Sequence, residues 1–143
     1  PITDNRMTRF MISLEEGVKL VWHAFDDMKG GEIYVKKIPS MKVTDVALAV
    51  DDKASQEEVG IRPGEKLHEQ MIGSEDVLYT YEYPGHFKIL PSINDWSNDP
   101  ERIGNGVKVD PDFTYCSDNN KEWMEIGVLQ SWIEKNRNKI GNI

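Results

Sequence analysis

The sequence has little cysteine and no long hydrophobic run, and these two features restrict where the protein works. Its 143 residues include one cysteine, Cys116, so an internal disulfide is excluded and a reducing compartment is favoured. The longest uninterrupted apolar run, residues 46–50, is far shorter than the roughly 20 residues that cross a bilayer. No signal-peptide pattern opens the chain. We therefore expect a cytoplasmic protein with no membrane partner.

Positive charge is also scarce. The chain has 17 Lys and Arg against 25 Asp and Glu, a net charge of −8, which argues against a nucleic-acid partner. The hydrophobic share of 38% is well above that of a disordered chain, and the length favours one domain. Because the first residue is Pro1 rather than Met, we also expect that the chain was cut from a longer protein or processed.

Several common active-site patterns are missing. There is no G-x-S-x-G nucleophile elbow and no phosphate-binding loop. The three histidines are far apart and lack metal-ligand spacing. The G-x-G at residues 104–106 has Val109 where a dinucleotide fingerprint needs its third glycine, so it predicts a turn. We expect no catalytic, metal-binding or cofactor-binding residue in this chain, and a passive, buried thiol at Cys116.

Helical periodicity and caps predict the first half of the fold. Ser13 and Glu16 form a capping box before a helix over residues 14–28, which Gly30-Gly31 ends. Its expected buried stripe is Leu14, Val18, Val21 and Phe25. A strand follows over residues 32–37. A second, shorter helix, capped by either Ser40 or Thr44, carries Val43, Val46, Ala47 and Val50. Alternation at Val59 and Ile61 suggests another strand.

The second half contains fewer signals. Residues 65–73 fit a helix or a strand equally well. Alternating tyrosines before Pro84-Gly85 predict a hairpin or a sharp chain reversal there. Residues 91–121 have little periodicity and predict an extended arm or loop, anchored by Trp96, Phe113 and Tyr115. An amphipathic helix is expected over about residues 122–136. The organisation is thus one structural domain, with an α/β lobe at 1–90, the arm at 91–121 and a C-terminal helix segment at 122–143.

Two arginines stand out among the candidate binding residues. Arg62 lies at a rigid Pro63-Gly64 turn, where a planar, permanently charged guanidinium suits a phosphate. Glu65 could orient Arg62 or accept from a sugar hydroxyl, and Arg9 offers a second cation before the first helix. The alternative is that Arg62 and Glu65 simply pair with each other across the turn, and the residues alone leave both possibilities open.

These residues also carry a family resemblance. The sequence resembles the C-terminal part of the inverting UDP-N-acetylglucosamine 4,6-dehydratases, extended short-chain dehydrogenase/reductases of pseudaminic-acid and capsule-type sugar biosynthesis. The resemblance covers nearly the whole chain in order. The matching runs are PITD (1–4), MTRF (7–10), GEIYV (31–35), KIPSMK (37–42), GIRPGEKLHE (60–69), PSI (91–93), PDF (111–113) and YCSDNN (115–120).

The resemblance implies both a fold and a ligand. The fold is the C-terminal sugar-nucleotide-binding lobe of an extended short-chain dehydrogenase/reductase, with mixed helices and short strands and without the Rossmann core. The ligand is a UDP-sugar, whose UDP part the family holds with the residues at the positions of Arg9, Arg62 and Glu65. Family members are oligomers, so a homo-oligomer is expected, in which the arm packs on another subunit.

The largest departure from the family is that this sequence lacks the family's N-terminal half. The dinucleotide fingerprint, the Tyr-x-x-x-Lys pair and the Asp/Lys acid–base residues of the family lie in its N-terminal half. The resemblance therefore implies that this chain binds no cofactor and is inactive alone, whereas the longer parent is an NADP-dependent lyase. The alternatives are a free-standing protein-interaction module from a truncated gene, using aromatics such as Tyr79, Tyr81 and Trp96, and a lobe of a related UDP-sugar epimerase or reductase.

Overall fold

The computed structural model describes residues 1–140 and shows a mixed α/β fold of short elements. The helices are α1 (Leu14–Asp27), α2 (Val43–Val50), α3 (Pro100–Ile103) and α4 (Ile126–Ile140), and 3-10 turns occupy Val77–Tyr79 and Ile93–Asn98. The strands are β1 (Thr8–Phe10), β2 (Ile33–Lys36), β3 (Ser40–Lys42), β4 (Gln70–Ile72), β5 (Thr80–Glu82), β6 (His86–Ile89), β7 (Val107–Lys108) and β8 (Tyr115–Cys116). No helix within residues 1–140 has the length and apolarity that a bilayer crossing requires.

Two compact units share the chain. Unit 1 comprises Pro1–Met11, Pro39–Glu69 and the residues from Ser117 onward, and unit 2 comprises Ile12–Ile38 and Gln70–Cys116. Each unit is therefore assembled from segments that are far apart in the sequence.

Unit 1 combines a two-stranded antiparallel sheet with two helices. β1 pairs with β3, and Arg9 lies opposite Met41 in this register. Met41, Ala49 and Leu129 form the buried centre, where β3, α2 and α4 meet. Partly buried apolar side chains surround them, namely Met11, Val46, Met124, Ile126 and Ile133.

The second helix is where the sequence predicts it, but neither expected cap is used. Lys42 occupies the N-cap position without a side-chain hydrogen bond. Ser40 cannot serve, because it lies fully buried on β3 and its hydroxyl accepts from Asn120 Nδ2 at 3.0 Å. Thr44 is already inside the helix. The capping prediction was wrong because strand pairing placed Ser40 before the helix began.

Two other sequence predictions in unit 1 fail for identifiable reasons. Near Val59 there is only a single parallel bridge between Ile2 and Glu58, and Gly60 turns the chain out of the extended region with φ +90°. α4 begins about four residues later than expected, because the backbone near Trp123 pairs with β3 instead of coiling. In both places a contact with a distant segment overrides the local pattern.

Unit 2 is built on a four-stranded antiparallel sheet in the order β2-β6-β5-β7. The expected hairpin at Pro84-Gly85 is confirmed, since β5 and β6 pair with Glu82 opposite Phe87. Within the ambiguous segment 65–73, Gln70–Ile72 form strand β4, which pairs with β8, and no helix forms there. The segment from residue 91 to Cys116 contains a 3-10 turn, a short helix and two short strands, elements too short to give a periodic sequence signal.

The first helix has the predicted limits but presents the opposite face to the sheet. Ser13 caps it by accepting from the Glu16 amide at 3.3 Å, as predicted. Its polar side meets the sheet: Glu16 lies 3.7 Å from Lys36, and the Asp27 carboxylate accepts from the Tyr34 hydroxyl at 2.6 Å.

The predicted buried stripe of α1 is therefore wrong for this chain. Leu14 is 85% exposed and Phe25 is 64% exposed, and Val18 and Val21 are exposed as well. The physical reason is that the charged and aromatic partners on β2 and β6 are complementary to the polar side of the helix. Its apolar side is consequently left in contact with solvent.

Candidate functional site

The predicted binding turn is a closed structure in unit 1. The Glu65 amide donates to the Arg62 carbonyl at 3.1 Å, and the Arg62 amide donates to Glu65 Oε2 at 3.2 Å. Gly64 has φ +82°, a backbone conformation that residues with a side chain rarely adopt. Glu65 Oε1 also accepts from the Thr3 hydroxyl at 3.3 Å. The Glu65 carboxylate therefore holds the turn in shape.

The Arg62 guanidinium is exposed at this turn. Within residues 1–140 it makes no hydrogen bond and no ion pair, and the pairing with the Glu65 carboxylate across the turn, which the sequence left open, is not formed. The carboxylate is used by the backbone of Arg62 instead. The fork of the guanidinium is thus available to an anion from solution.

Arg9 is engaged with the segment that follows the turn. Its Nη1 donates to the carbonyls of Thr8 at 2.7 Å and Leu67 at 3.1 Å, and its Nη2 donates to the Lys66 carbonyl at 2.9 Å. Its Nε lies 3.4 Å from a Glu69 carboxylate oxygen. Since an arginine has five N–H donors, one N–H on Nη2 remains for a ligand. The structure therefore brings Arg9 against the segment carrying Arg62 and Glu65, and uses most of its donors there.

A third arginine of unit 1, Arg6, forms a two-point ion pair with Asp4. The Asp4 carboxylate accepts from the backbone amide of Arg6 at 2.8 Å, from its Nε at 3.0 Å and from its Nη2 at 2.7 Å. These bonds, led by the side-chain pair, lower the pKa of Asp4 to about 2. Arg6 is accordingly a structural partner of Asp4.

A buried polar network beside the turn escaped sequence reasoning. The Thr8 hydroxyl lies 2.8 Å from His68 Nδ1 and 2.6 Å from the Ser117 hydroxyl. The Ser117 hydroxyl also accepts from the Glu69 amide at 2.9 Å, and His68 Nε2 lies 3.9 Å from Asp118. Thr8 is separated from His68 by 60 residues and from Ser117 by 109. No local motif could have revealed contacts at such separations.

Unit 2 holds a separate cluster of titratable side chains. The Lys88 ammonium is almost fully buried, donates to Asp27 at 2.6 Å and lies 4.9 Å from the Tyr83 ring centre. The His86 ring stacks on Tyr83 at 4.7 Å and meets His23 edge-on at 4.7 Å. His86 Nε2 is buried and has no hydrogen-bond partner in the described part of the chain.

This environment predicts a pH-dependent stability. Burial, assisted by His23 and Lys88 and opposed by Asp27, lowers the pKa of His86 below 6.5. The unfolded chain then binds a proton before the folded chain does, so stability falls as pH drops below about 6.5. We expect His86→Phe to flatten this decline, which urea unfolding at about pH 8 and pH 5 would measure. An equal loss of stability between about pH 8 and pH 5 in the wild type and in His86→Phe would contradict the assignment of this decline to His86.

The G-x-G turn does not fit a dinucleotide. Gly104 ends α3 instead of opening a helix, and its turn confirms the sequence prediction. A Cβ on Gly106 would lie 2.5 Å from the Tyr83 ring, so a close approach of that ring accounts for the glycine at this position. Within residues 1–140, no three His, Cys, Asp or Glu side chains converge as metal ligands. Cys116 is half-buried on β8.

Comparison with known proteins agrees with the expected resemblance. Residues 1–91 match the model of a family described as polysaccharide biosynthesis protein. The chain is 53% identical over 128 residues to UDP-N-acetylglucosamine 4,6-dehydratase (inverting) of Campylobacter jejuni, covering 86% of this chain and 38% of that protein. It is 35% identical over 92 residues to UDP-glucose 4-epimerase of Rickettsia typhi, covering 62% of this chain and 27% of that protein.

A solved structure supports the fold. An X-ray structure of Pen from Bacillus thuringiensis superposes with a TM-score of 0.74 at 28% identity, covering 95% of this chain and 40% of that chain. This likeness and the mixed α/β elements confirm the expected fold class. The chain spans about two fifths of the length of the dehydratases that it matches. The resemblance to the inverting dehydratases is thereby confirmed, and the chain belongs to the polysaccharide biosynthesis protein family.

Proposed function

We propose that this chain is the nucleotide-sugar-binding part of a UDP-N-acetylglucosamine 4,6-dehydratase that serves bacterial surface polysaccharide or flagellin sugar biosynthesis. Its ligand is the UDP group of a UDP-N-acetylhexosamine. Arg62, Arg9 and Glu65 are the binding residues, and the parent protein is a cytoplasmic, homo-oligomeric, NADP-dependent lyase. The similarity to the Campylobacter dehydratase over 86% of the chain supports the substrate class.

The observation that carries the proposal is the exposed guanidinium of Arg62, which has no partner among residues 1–140 and lies on a turn that is fixed by its own hydrogen bonds. A guanidinium held in this way can meet two phosphate oxygens without ordering a long loop first. Arg9 contributes its remaining N–H donor and fixes the neighbouring backbone. Glu65 shapes the turn, and its carboxylate lies within reach of Thr3.

Calorimetric titration with UDP tests the binding assignment. Loss of one charged hydrogen-bond partner costs about 1.5–3 kcal/mol, so Arg62→Ala is expected to weaken binding about 10- to 150-fold. Arg137→Ala is the matched control, because Arg137 is also exposed in unit 1 and pairs with a residue of its own helix, Glu134, at 3.2 Å. Equal affinities of wild type and Arg62→Ala, or absence of heat at millimolar UDP, would contradict the proposal.

We further propose that the chain is inactive by itself. Dehydration of the sugar begins with oxidation, and the chemistry of that step belongs to a nicotinamide cofactor bound on a glycine-rich turn. The position of Gly104 at the end of α3, rather than before the start of a helix, supports this proposal. Incubation of the chain with UDP-N-acetylglucosamine and NADP should therefore leave the sugar unchanged by NMR.

Two alternatives have specific observations in their favour. The outward apolar face of α1 favours a protein-interaction module, although Tyr81 is buried and unsuited to contact a partner. The similarity to a UDP-glucose 4-epimerase over 62% of the chain favours another UDP-sugar enzyme. Failure to bind UDP favours the first alternative. Binding of UDP-glucose and UDP-N-acetylglucosamine with equal affinity favours the second.

A further inference from the structure

We propose that the buried Thr8–His68–Ser117 network positions the Arg62–Glu65 turn for its ligand, so that Thr8 and His68 act as positioning residues of the UDP site. This inference rests on the proposed function. It concerns residues to which the sequence analysis assigns no role.

The chain leaves the turn through residues 67–69, and hydrogen bonds hold this segment at both of its ends. On one side, the Leu67 carbonyl accepts from the Thr8 amide at 3.2 Å and from Arg9. On the other side, Ser117 accepts from the Glu69 amide through its hydroxyl and donates its own amide to the Glu69 carbonyl at 2.8 Å. His68, between these two points, is tied to Thr8.

These bonds fix the direction in which the chain leaves the turn. Only Lys66 separates Glu65 from the clamped residues, and its carbonyl is itself held by Arg9 at 2.9 Å. Because a peptide backbone has only two soft dihedrals per residue, one residue gives the turn little freedom relative to the network. The position of the Arg62 backbone, from which the guanidinium projects, therefore depends on Thr8 and His68.

The burial of the network makes its hydrogen bonds valuable. Thr8 is 4% exposed and Ser117 is fully buried. A polar group at such a depth is costly when it is left without a partner, and water is not there to replace a lost bond. Removing the Thr8 hydroxyl leaves His68 Nδ1 without this partner, whereas the Ser117 hydroxyl keeps the Glu69 amide and the Thr8 carbonyl. The segment is then free to shift on its His68 side.

The hydrogen bonds of the network can be arranged in two ways, one for each state of His68 Nδ1. With the lone pair on His68 Nδ1, the Ser117 hydroxyl donates to Thr8 Oγ1, and the Thr8 hydroxyl donates to His68. With a proton on Nδ1, His68 donates to Thr8, Thr8 donates to Ser117, and Ser117 donates to the Thr8 carbonyl at 3.2 Å. In both arrangements the Glu69 amide donates to Ser117.

Both hydroxyls and the imidazole nitrogen are therefore satisfied in either protonation state of Nδ1, and the segment stays clamped. This property follows from the ability of a hydroxyl group both to donate and to accept a hydrogen bond. It also predicts which replacements are tolerated: a residue at position 8 must both donate and accept, and valine can do neither.

The experiment compares Thr8→Val with Thr8→Ser in the full chain. Thr8→Val is expected to weaken UDP binding about tenfold and Thr8→Ser by less than about twofold, because serine restores the hydroxyl. Since the effect passes through Arg62, the Thr8→Val change should weaken binding no further in the Arg62→Ala background. His68→Leu against His68→Asn repeats the comparison if the valine variant folds poorly, because an asparagine oxygen can accept from Thr8.

A second measurement needs no ligand. The Glu65 amide, which closes the turn, should exchange with solvent about tenfold faster in Thr8→Val than in wild type or Thr8→Ser. Unchanged exchange together with unchanged affinity would overturn the inference. A wild-type chain that does not bind UDP would refute the proposed function instead, and the exchange result would still decide whether the network orders the turn.

Discussion

Replacing Glu32 with alanine is expected to lower the free energy of unfolding by about 3–5 kcal/mol, which is the usual cost of breaking a buried ion pair from one side. The Glu32 side chain is 2% exposed and its partner Arg102 is 8% exposed. The Arg102 guanidinium also donates to the Gly30 carbonyl at 2.9 Å and covers the Trp96 ring at 4.1 Å. Its Nε also lies 3.5 Å from Asp99, so removing Glu32 takes away the closer and more deeply buried of its two counter-charges.

Glu32 has a second role that alanine would abolish. Its carboxylate accepts from the amides of Lys29 at 3.2 Å and Gly30 at 2.7 Å, just beyond the end of α1. Gly30 and the next residue both have positive φ, so this reversal of the chain depends on side-chain support. Losing Glu32 leaves these amides without their acceptor in addition to removing the closer counter-charge of Arg102.

Glu101→Ala provides the matched control. Glu101 pairs with Lys29 at 2.7 Å but is 83% exposed, and such pairs contribute about 0–1 kcal/mol. Urea denaturation of the three proteins measures the difference. Similar midpoints for Glu32→Ala and Glu101→Ala would show that burial of the Arg102 pair does not matter.

Replacing Met41 with alanine is expected to destabilise unit 1 by about 2–5 kcal/mol, since it leaves a cavity in the best-packed part of the core. Met41 is fully buried and contacts the cluster around Ala49 and Leu129. It also lies opposite Arg9 in the pairing of β1 with β3. The same change should therefore loosen the strand that carries the Arg9 contacts.

Met71→Ala is the control for this prediction, because Met71 is 37% exposed on β4 and leaves little cavity. Urea unfolding gives the free energies, and hydrogen exchange of the β1 amides reports on the strand. We expect faster exchange of the Phe10 region in Met41→Ala alone. Equal effects of the two methionine changes would contradict the assignment of the core to Met41.

Local signals in the sequence fixed several parts of this fold in advance. Ser13 with Glu16 marked the start of α1, the Pro84-Gly85 pair marked the hairpin, and Pro63-Gly64 marked a rigid turn next to Arg62. Each of these signals acts through bonds within about four residues, so no knowledge of distant segments is required. The family resemblance is of the same kind, because it depends on short ordered runs.

The tertiary structure alone decided which surfaces and networks those elements form. Periodicity showed that α1 is amphipathic, but its polar side meets Tyr34 and Lys88, which come from other segments. The contacts of Thr8 with His68 and Ser117 likewise join residues far apart in the chain. A sequence determines where the chain bends and coils through short-range interactions, whereas burial and side-chain partnership depend on which distant segments arrive at the same place.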